Sequence, residues 1–121
     1  MSATVLVVDD NPAFRALARR LLVEVGLEPA GEAATVAAAL AAADSLHPDA
    51  ILVDVGLPDG DGVALARRLS ALPWHPRVVL TSGDADAATD ADARRSGAAA
   101  FVPKDQLPNA ELCSLFDGAQ P

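Results

Sequence analysis

Five short apolar runs, each followed by turn residues and a helix-like segment, constrain this chain more than any other feature. They are Thr4–Val8, Leu27–Glu32, Ala50–Val53, Val78–Thr81 and Ala99–Val102. Ala50–Val53 is apolar without interruption, as a strand covered on both faces requires. Between the runs the period changes to that of a helix. Asn11 is placed to cap a helix with Pro12 at its first position; Phe14, Leu17, Ala18, Leu21, Leu22 and Val25 form its stripe, and Gly26 stops it. Thr35 opens a second helix through Leu46, ended by His47-Pro48. Leu57–Gly62 reads as a turn-rich loop, with Asp59 and Asp61 as turn formers. Val63–Leu69 gives a third helix, ended by Pro73. Asp84–Ser96, polar and rich in alanine, gives a fourth closed by Gly97, and Leu107–Asp117 a fifth. Strands alternating with helices require crossover connections, hence a parallel sheet covered on both sides. The expected fold is a doubly wound α/β domain of five parallel strands in the order 2-1-3-4-5, flanked by five helices.

Length and charge narrow the function. With 121 residues the chain has room for one core, so residues 1–121 form one domain, with 118–121 as its end or the start of a linker. A 51% hydrophobic composition excludes a disordered chain. Asp, Gly or Pro breaks every apolar run before membrane-spanning length, and Met1–Asn11 has neither a basic region nor a small-residue cleavage site. A cytoplasmic protein is expected. The net charge of −8 argues against direct nucleic-acid binding by this domain and suits a cation site or a basic partner. Cys113, the single cysteine, cannot form an internal disulfide; its apolar neighbours suggest a small core residue.

The chemistry gathers at one sheet edge. Asp9 and Asp10 follow the first strand, Asp54 the third, and Lys104 the fifth, while Thr81 and Ser82 close the fourth. In the expected order these strands are neighbours, so their ends meet where open α/β sheets bind ligands. Three carboxylates held together repel and raise one another's pKa. A divalent cation relieves that repulsion, and hard oxygen ligands with open positions select Mg²⁺, with Mn²⁺ as the alternative. The cation and the Lys104 ammonium can balance charge on a phosphoryl group in transfer, for which Asp54 is the candidate nucleophile.

The segments Val5–Asn11 (VLVVDDN), Ile51–Gly62 (ILVDVGLPDGDG), Val78–Gly83 (VVLTSG) and Gly97–Lys104 (GAAAFVPK) resemble, in order and spacing, the receiver domain of two-component response regulators. The resemblance implies a phosphorylation-dependent switch that accepts a phosphoryl group from a histidine kinase, a phosphotransfer protein or a small phosphodonor. It also implies a downstream effector or output domain and allows a phosphorylation-dependent homodimer. By position, Asp54 resembles the acceptor, Asp10 the direct Mg²⁺ ligand, Asp9 its partner, the Gly56 carbonyl a third protein ligand, and Lys104 the phosphate-binding lysine. Ser82 is the favoured switch hydroxyl, 28 residues after Asp54 and 22 before Lys104, with Thr81 as the alternative. Phe101 matches an aromatic position that turns inward on activation.

Three departures stand out. Asp105 rather than proline follows Lys104, a pattern of a branch that carries helix-turn-helix outputs. Gly56, two residues after the acceptor, has no side chain to orient an attacking water, and Asp84 adds negative charge two residues after Ser82; slow dephosphorylation is expected. Ala85–Ala93 has few large apolar residues, so a mobile helix is expected there. Two rivals remain: a phosphorylation-independent adaptor, and an aspartate-based phosphatase, which Gly56 disfavours by leaving no acid two residues past the nucleophile.

Overall fold

The computed structural model describes residues 3–84 and 90–117. The elements run β1 (Thr4–Val8), α1 (Pro12–Glu24), β2 (Glu28–Ala33), α2 (Val36–Leu46), β3 (Ala50–Asp54), β4 (Gly56–Leu57), β5 (Gly60–Asp61), α3 (Gly62–Ser70), β6 (Arg77–Ser82), α4 (Asp90–Arg95), β7 (Ala100–Pro103), a 3₁₀ segment (Lys104–Asn109) and α5 (Leu112–Asp117). The main sheet has the order β2-β1-β3-β6-β7, and all its pairings are parallel. Without the β4–β5 hairpin this is the expected 2-1-3-4-5.

Strand periodicity sorts the core into two layers. Val5, Val7, Leu52 and Val79 point to one face and pack with Phe14, Ala18 and Leu22 of α1 and with Leu107, Leu112 and Phe116. Leu6, Val8, Ile51, Val53, Val78 and Leu80 point to the other and meet Ala39 and Ala43 of α2, Leu65, Ala66 and Leu69 of α3, and Ala93 of α4. Helices lie on both faces, so strand side chains are buried on both faces, and the site is left to the strand ends.

Helix starts follow the predicted chemistry. Asn11 Oδ1 accepts from the Ala13 and Phe14 amides, and Thr35 Oγ1 from the Ala38 amide. Asp59 and Asp61, expected only as turn formers, also bind helix amides. Asp59 accepts from the Val36 and Ala37 amides at the start of α2, and Asp61 caps α3 through the Val63 amide. Gly62 is required by close approach: a Cβ there would lie 2.1 Å from the Asp54 carbonyl oxygen.

Several boundaries differ from expectation. Asp54 and Ser82 are the last residues of β3 and β6, so the sheet's hydrogen bonds hold their backbones. The 57–62 loop contains a two-stranded hairpin. The expected last helix is split into the 3₁₀ segment and α5, with Pro108, which lacks an amide donor, inside the 3₁₀ part. Cys113 is exposed, not a core residue. Leu112 and Phe116 face inward four residues apart, which turns position 113 toward solvent, where its thiol contacts the Val25 carbonyl. Of the predicted fourth helix, residues 85–89 lie outside the described residues, so the mobility expected for Ala85–Ala93 is not addressed there; Ala93 itself is fully buried. Among the described residues, no helix is long and apolar enough to cross a membrane.

Candidate functional site

β1 places Asp9 and Asp10 directly beyond its last residue, and β3 ends on Asp54. Because β1 and β3 are hydrogen-bonded neighbours, the three acids meet, with a carboxylate oxygen from each within 4.8 Å of the others. Asp9 is fully buried, Asp54 nearly so, and Asp10 is exposed. Lys104 begins the 3₁₀ segment after β7 and reaches across the sheet edge. Its Nζ lies 2.6 Å from Asp9 Oδ2 and 3.7 Å from Asp54 Oδ2. The ammonium also sits 4.4 Å from the centre of the Phe14 ring, which limits its movement on the α1 side.

Asp9 is held at every polar atom. Its amide donates to the Ala33 carbonyl, its carbonyl accepts from Arg15 Nη1 at 2.7 Å, and its Oδ1 accepts from the Asn11 amide at 2.8 Å. Oδ2 is buried, and the Lys104 ammonium at 2.6 Å is its one partner among the described residues. A buried carboxylate whose oxygen has only an ammonium for partner, beside two more carboxylates, is a donor set that fits a hard divalent cation.

The Asp54 carboxylate accepts weakly from the Gly56 amide, at 3.3 Å. Burial pushes its pKa above the ordinary 3.8, and the Asp9 charge pushes the same way. Lys104 and the Gly56 amide partly offset this, and Asp10 adds a smaller upward push.

The two hydroxyl candidates have different partners. Thr81 is fully buried, and its Oγ1 donates to the Val102 carbonyl at 2.6 Å, tying β6 to β7. Ser82 Oγ accepts from the Asp84 amide at 3.1 Å, which leaves its proton free for another acceptor. Phe101 is half-buried, lies opposite Leu80 in the β6–β7 register and packs on the layer beneath α2 and α3. Asp84 is exposed. At Gly56 an added Cβ would meet no atom within 4 Å.

Sequence reasoning missed Arg15, which holds the Asp9 carbonyl, and Phe14 beneath Lys104. Its spacing marks Phe14 only as part of an apolar stripe. The charged Arg15 next to that stripe was the available signal, but its partner, Glu32, is 17 residues away.

The description "Response regulator receiver domain" matches residues 5–116 of this chain. The DNA-binding transcriptional activator DevR/DosR of Mycobacterium tuberculosis is 40% identical over 106 residues, 84% of this chain and 47% of that protein. A protein-glutamate methylesterase/protein-glutamine glutaminase of Hahella chejuensis is 36% identical over 107 residues, covering 87% of this chain and 31% of its own length. The chain thus spans less than half of either relative. The response regulator domain of Thermotoga maritima CheB superposes with a TM-score of 0.83 over 100% of both chains at 23% identity, a likeness of fold. A parallel sheet in the order β2-β1-β3-β6-β7, with three acids and a lysine at its carboxyl edge, is accounted for by one conclusion: the chain belongs to the response regulator receiver domain family.

Proposed function

We propose that this domain is a phosphorylation-dependent signalling switch whose acceptor is Asp54. The observation that carries the reading is the meeting of Asp9, Asp10, Asp54 and Lys104 at one sheet edge. An Asp54 carboxylate oxygen attacks the donor phosphorus. The new O–P bond forms as the bond to the donor breaks, either P–N from a phosphohistidine or P–O from a small phosphodonor, and the leaving group departs with the bonding electron pair. Asp9, Asp10, Asp54 and the Gly56 carbonyl are the residues to hold Mg²⁺, with Mn²⁺ as a substitute. Bound there, the ion supplies positive charge for the phosphoryl oxygens.

The protein's own groups do the rest. The Lys104 ammonium, now shared between Asp9 and Asp54, is within reach of a phosphate on Asp54. Ser82 is the switch hydroxyl, because its proton is uncommitted while that of Thr81 is bonded to Val102. Moving Ser82 and Lys104 toward the phosphate pulls on the ends of β6 and β7 and on Phe101, altering the surface formed by α4, β7 and α5. A groove of about 690 Å³ lined by Phe101, Val102, Gln106, Glu111 and Leu115 lies along the β7 and α5 part of that surface. Upstream the partner is a histidine kinase or phosphotransfer protein, and downstream an effector, an output domain or a second phosphorylated copy. The domain catalyses no turnover beyond its own phosphorylation and dephosphorylation, and it works in the cytoplasm. Gly56 leaves hydrolysis of the acyl phosphate slow, and Asp84 tunes the approach of anions.

Titration with beryllofluoride and Mg²⁺, followed by amide NMR, tests the reading. The expected result is saturable shifts at Asp54, Ser82, Phe101 and Lys104, absent in Asp54→Ala. An unchanged wild-type spectrum favours a phosphorylation-independent adaptor instead.

A further inference from the structure

The charged groups on the outer side of the acidic pocket, beyond the acids and Lys104, form a connected set. Arg15, one turn into α1, donates from Nε to Glu32 Oε1 at 2.9 Å and from Nη1 to the Asp9 carbonyl at 2.7 Å. Glu32 lies in β2, and its second oxygen pairs with Arg19. The Arg15 and Glu32 side chains are only 19% and 25% exposed, whereas Arg19 is 55% exposed. Arg15 is therefore held at both ends of its guanidinium, between a carboxylate and a backbone carbonyl.

That carbonyl belongs to the peptide joining Asp9 to Asp10. The orientation of this peptide plane decides where Asp10 is presented relative to Asp9 and Asp54. Ala33 fixes the preceding peptide through the Asp9 amide, and Arg15 holds the Asp9–Asp10 peptide through its carbonyl. Asp10 is exposed, and beyond Asp9 the chain leaves the sheet. Without Arg15 the peptide plane can rotate, and the three carboxylates must be gathered at the moment of ion binding. A ligand set that must be ordered on binding holds its ion less tightly.

We propose that Arg15, oriented by Glu32, is a positioning residue that sets the divalent-cation affinity of the pocket. The inference rests on the phosphoacceptor reading above. Glu32 also pairs with Arg19, but among the described residues its link to the acids runs through Arg15. The two changes should therefore not add.

The test is Mn²⁺ affinity measured by the electron paramagnetic resonance of free ion, on wild type, Arg15→Met, Glu32→Gln, the double variant and Arg15→Lys. Arg15→Met keeps the apolar stem and removes both hydrogen bonds. It is expected to weaken Mn²⁺ binding roughly tenfold, the scale typical of residues that orient metal ligands. Glu32→Gln weakens it less, the double variant no more than Arg15→Met, and Arg15→Lys recovers part of the loss. The Mg²⁺ concentration for half-maximal phosphorylation by a small phosphodonor rises in parallel, while the rate at saturating Mg²⁺ holds. General loss of structure would instead lower that saturating rate. Wild-type Mn²⁺ affinity in Arg15→Met, or in Glu32→Gln if Arg15→Met does not fold, overturns this proposal alone. No Mn²⁺ binding by wild type overturns the phosphoacceptor reading and this inference with it.

Discussion

The two ends of the sheet solve opposite problems. At the amino end the polar groups answer one another. Asp49 Oδ2 accepts from the Thr4 amide at 2.9 Å and from its hydroxyl at 3.2 Å, and the Asp49 amide donates back to Thr4 Oγ1. Its carbonyl accepts from the Arg77 amide at 2.9 Å, so one residue ties the entries of β1, β3 and β6 together. Nearby, Trp74 Nε1 donates to the Pro48 carbonyl, and the indole stacks on His47 at 3.9 Å. At the carboxyl end three acids crowd within 4.8 Å, with one ammonium, Lys104, shared between Asp9 and Asp54. The amino end holds the fold together; the carboxyl end keeps unfavourable charge in place for a ligand to relieve.

Substitutions break or sharpen this contrast, beginning with the largest expected effect. Gly62→Ala places a methyl against the Asp54 carbonyl at 2.1 Å, where backbone must move. It should cost about 3 kcal/mol or more in urea unfolding. Trp74→Ala at the amino end should cost about 2 kcal/mol while leaving Mg²⁺ affinity at the wild-type value. Equal damage to metal binding would mean that the two ends are not independent.

Asp54→Asn should act in the opposite sense and raise Tm by a few degrees at pH 7. The sign follows from the raised pKa of Asp54. The native carboxyl holds its proton to higher pH than the unfolded one, so stability falls as pH rises from 3.8 through the native pKa. The gain in Asp54→Asn should therefore vanish below about pH 3.8, which thermal melts across pH will show. By the same logic, phosphorylation of the wild type should rise with pH through the native pKa and then level off. The smallest effect is kinetic. Gly56→Asn fills open space without a clash and gives an attacking water a partner, so the phosphorylated form should decay faster at unchanged Tm.

Much of this was legible because it depends on local rules. Alternating runs gave the strands, Asn11 and Thr35 gave helix starts, and the strand order carried Asp9, Asp10, Asp54 and Lys104 to one edge. What stayed hidden depends on contacts far along the chain. Asp59 reads as a turn residue until α2, 23 residues away, offers its amides. Arg15 stands beside the apolar stripe of α1 with no partner nearby in sequence, and only the fold brings Glu32 and the Asp9 carbonyl to it. Cys113 reads as core because its neighbours are apolar, and only the phase of α5 turns it outward. The choice between Thr81 and Ser82 rests on which carbonyl lies across from β6, which the run VVLTSG does not contain.

The most direct test of the central claim is intact mass after incubation with a small phosphodonor, with and without Mg²⁺, for wild type and Asp54→Ala. The account predicts the mass of a single phosphoryl group on wild type only when Mg²⁺ is present, and none on Asp54→Ala. Equal phosphorylation of both proteins, or none on wild type with Mg²⁺, would contradict it.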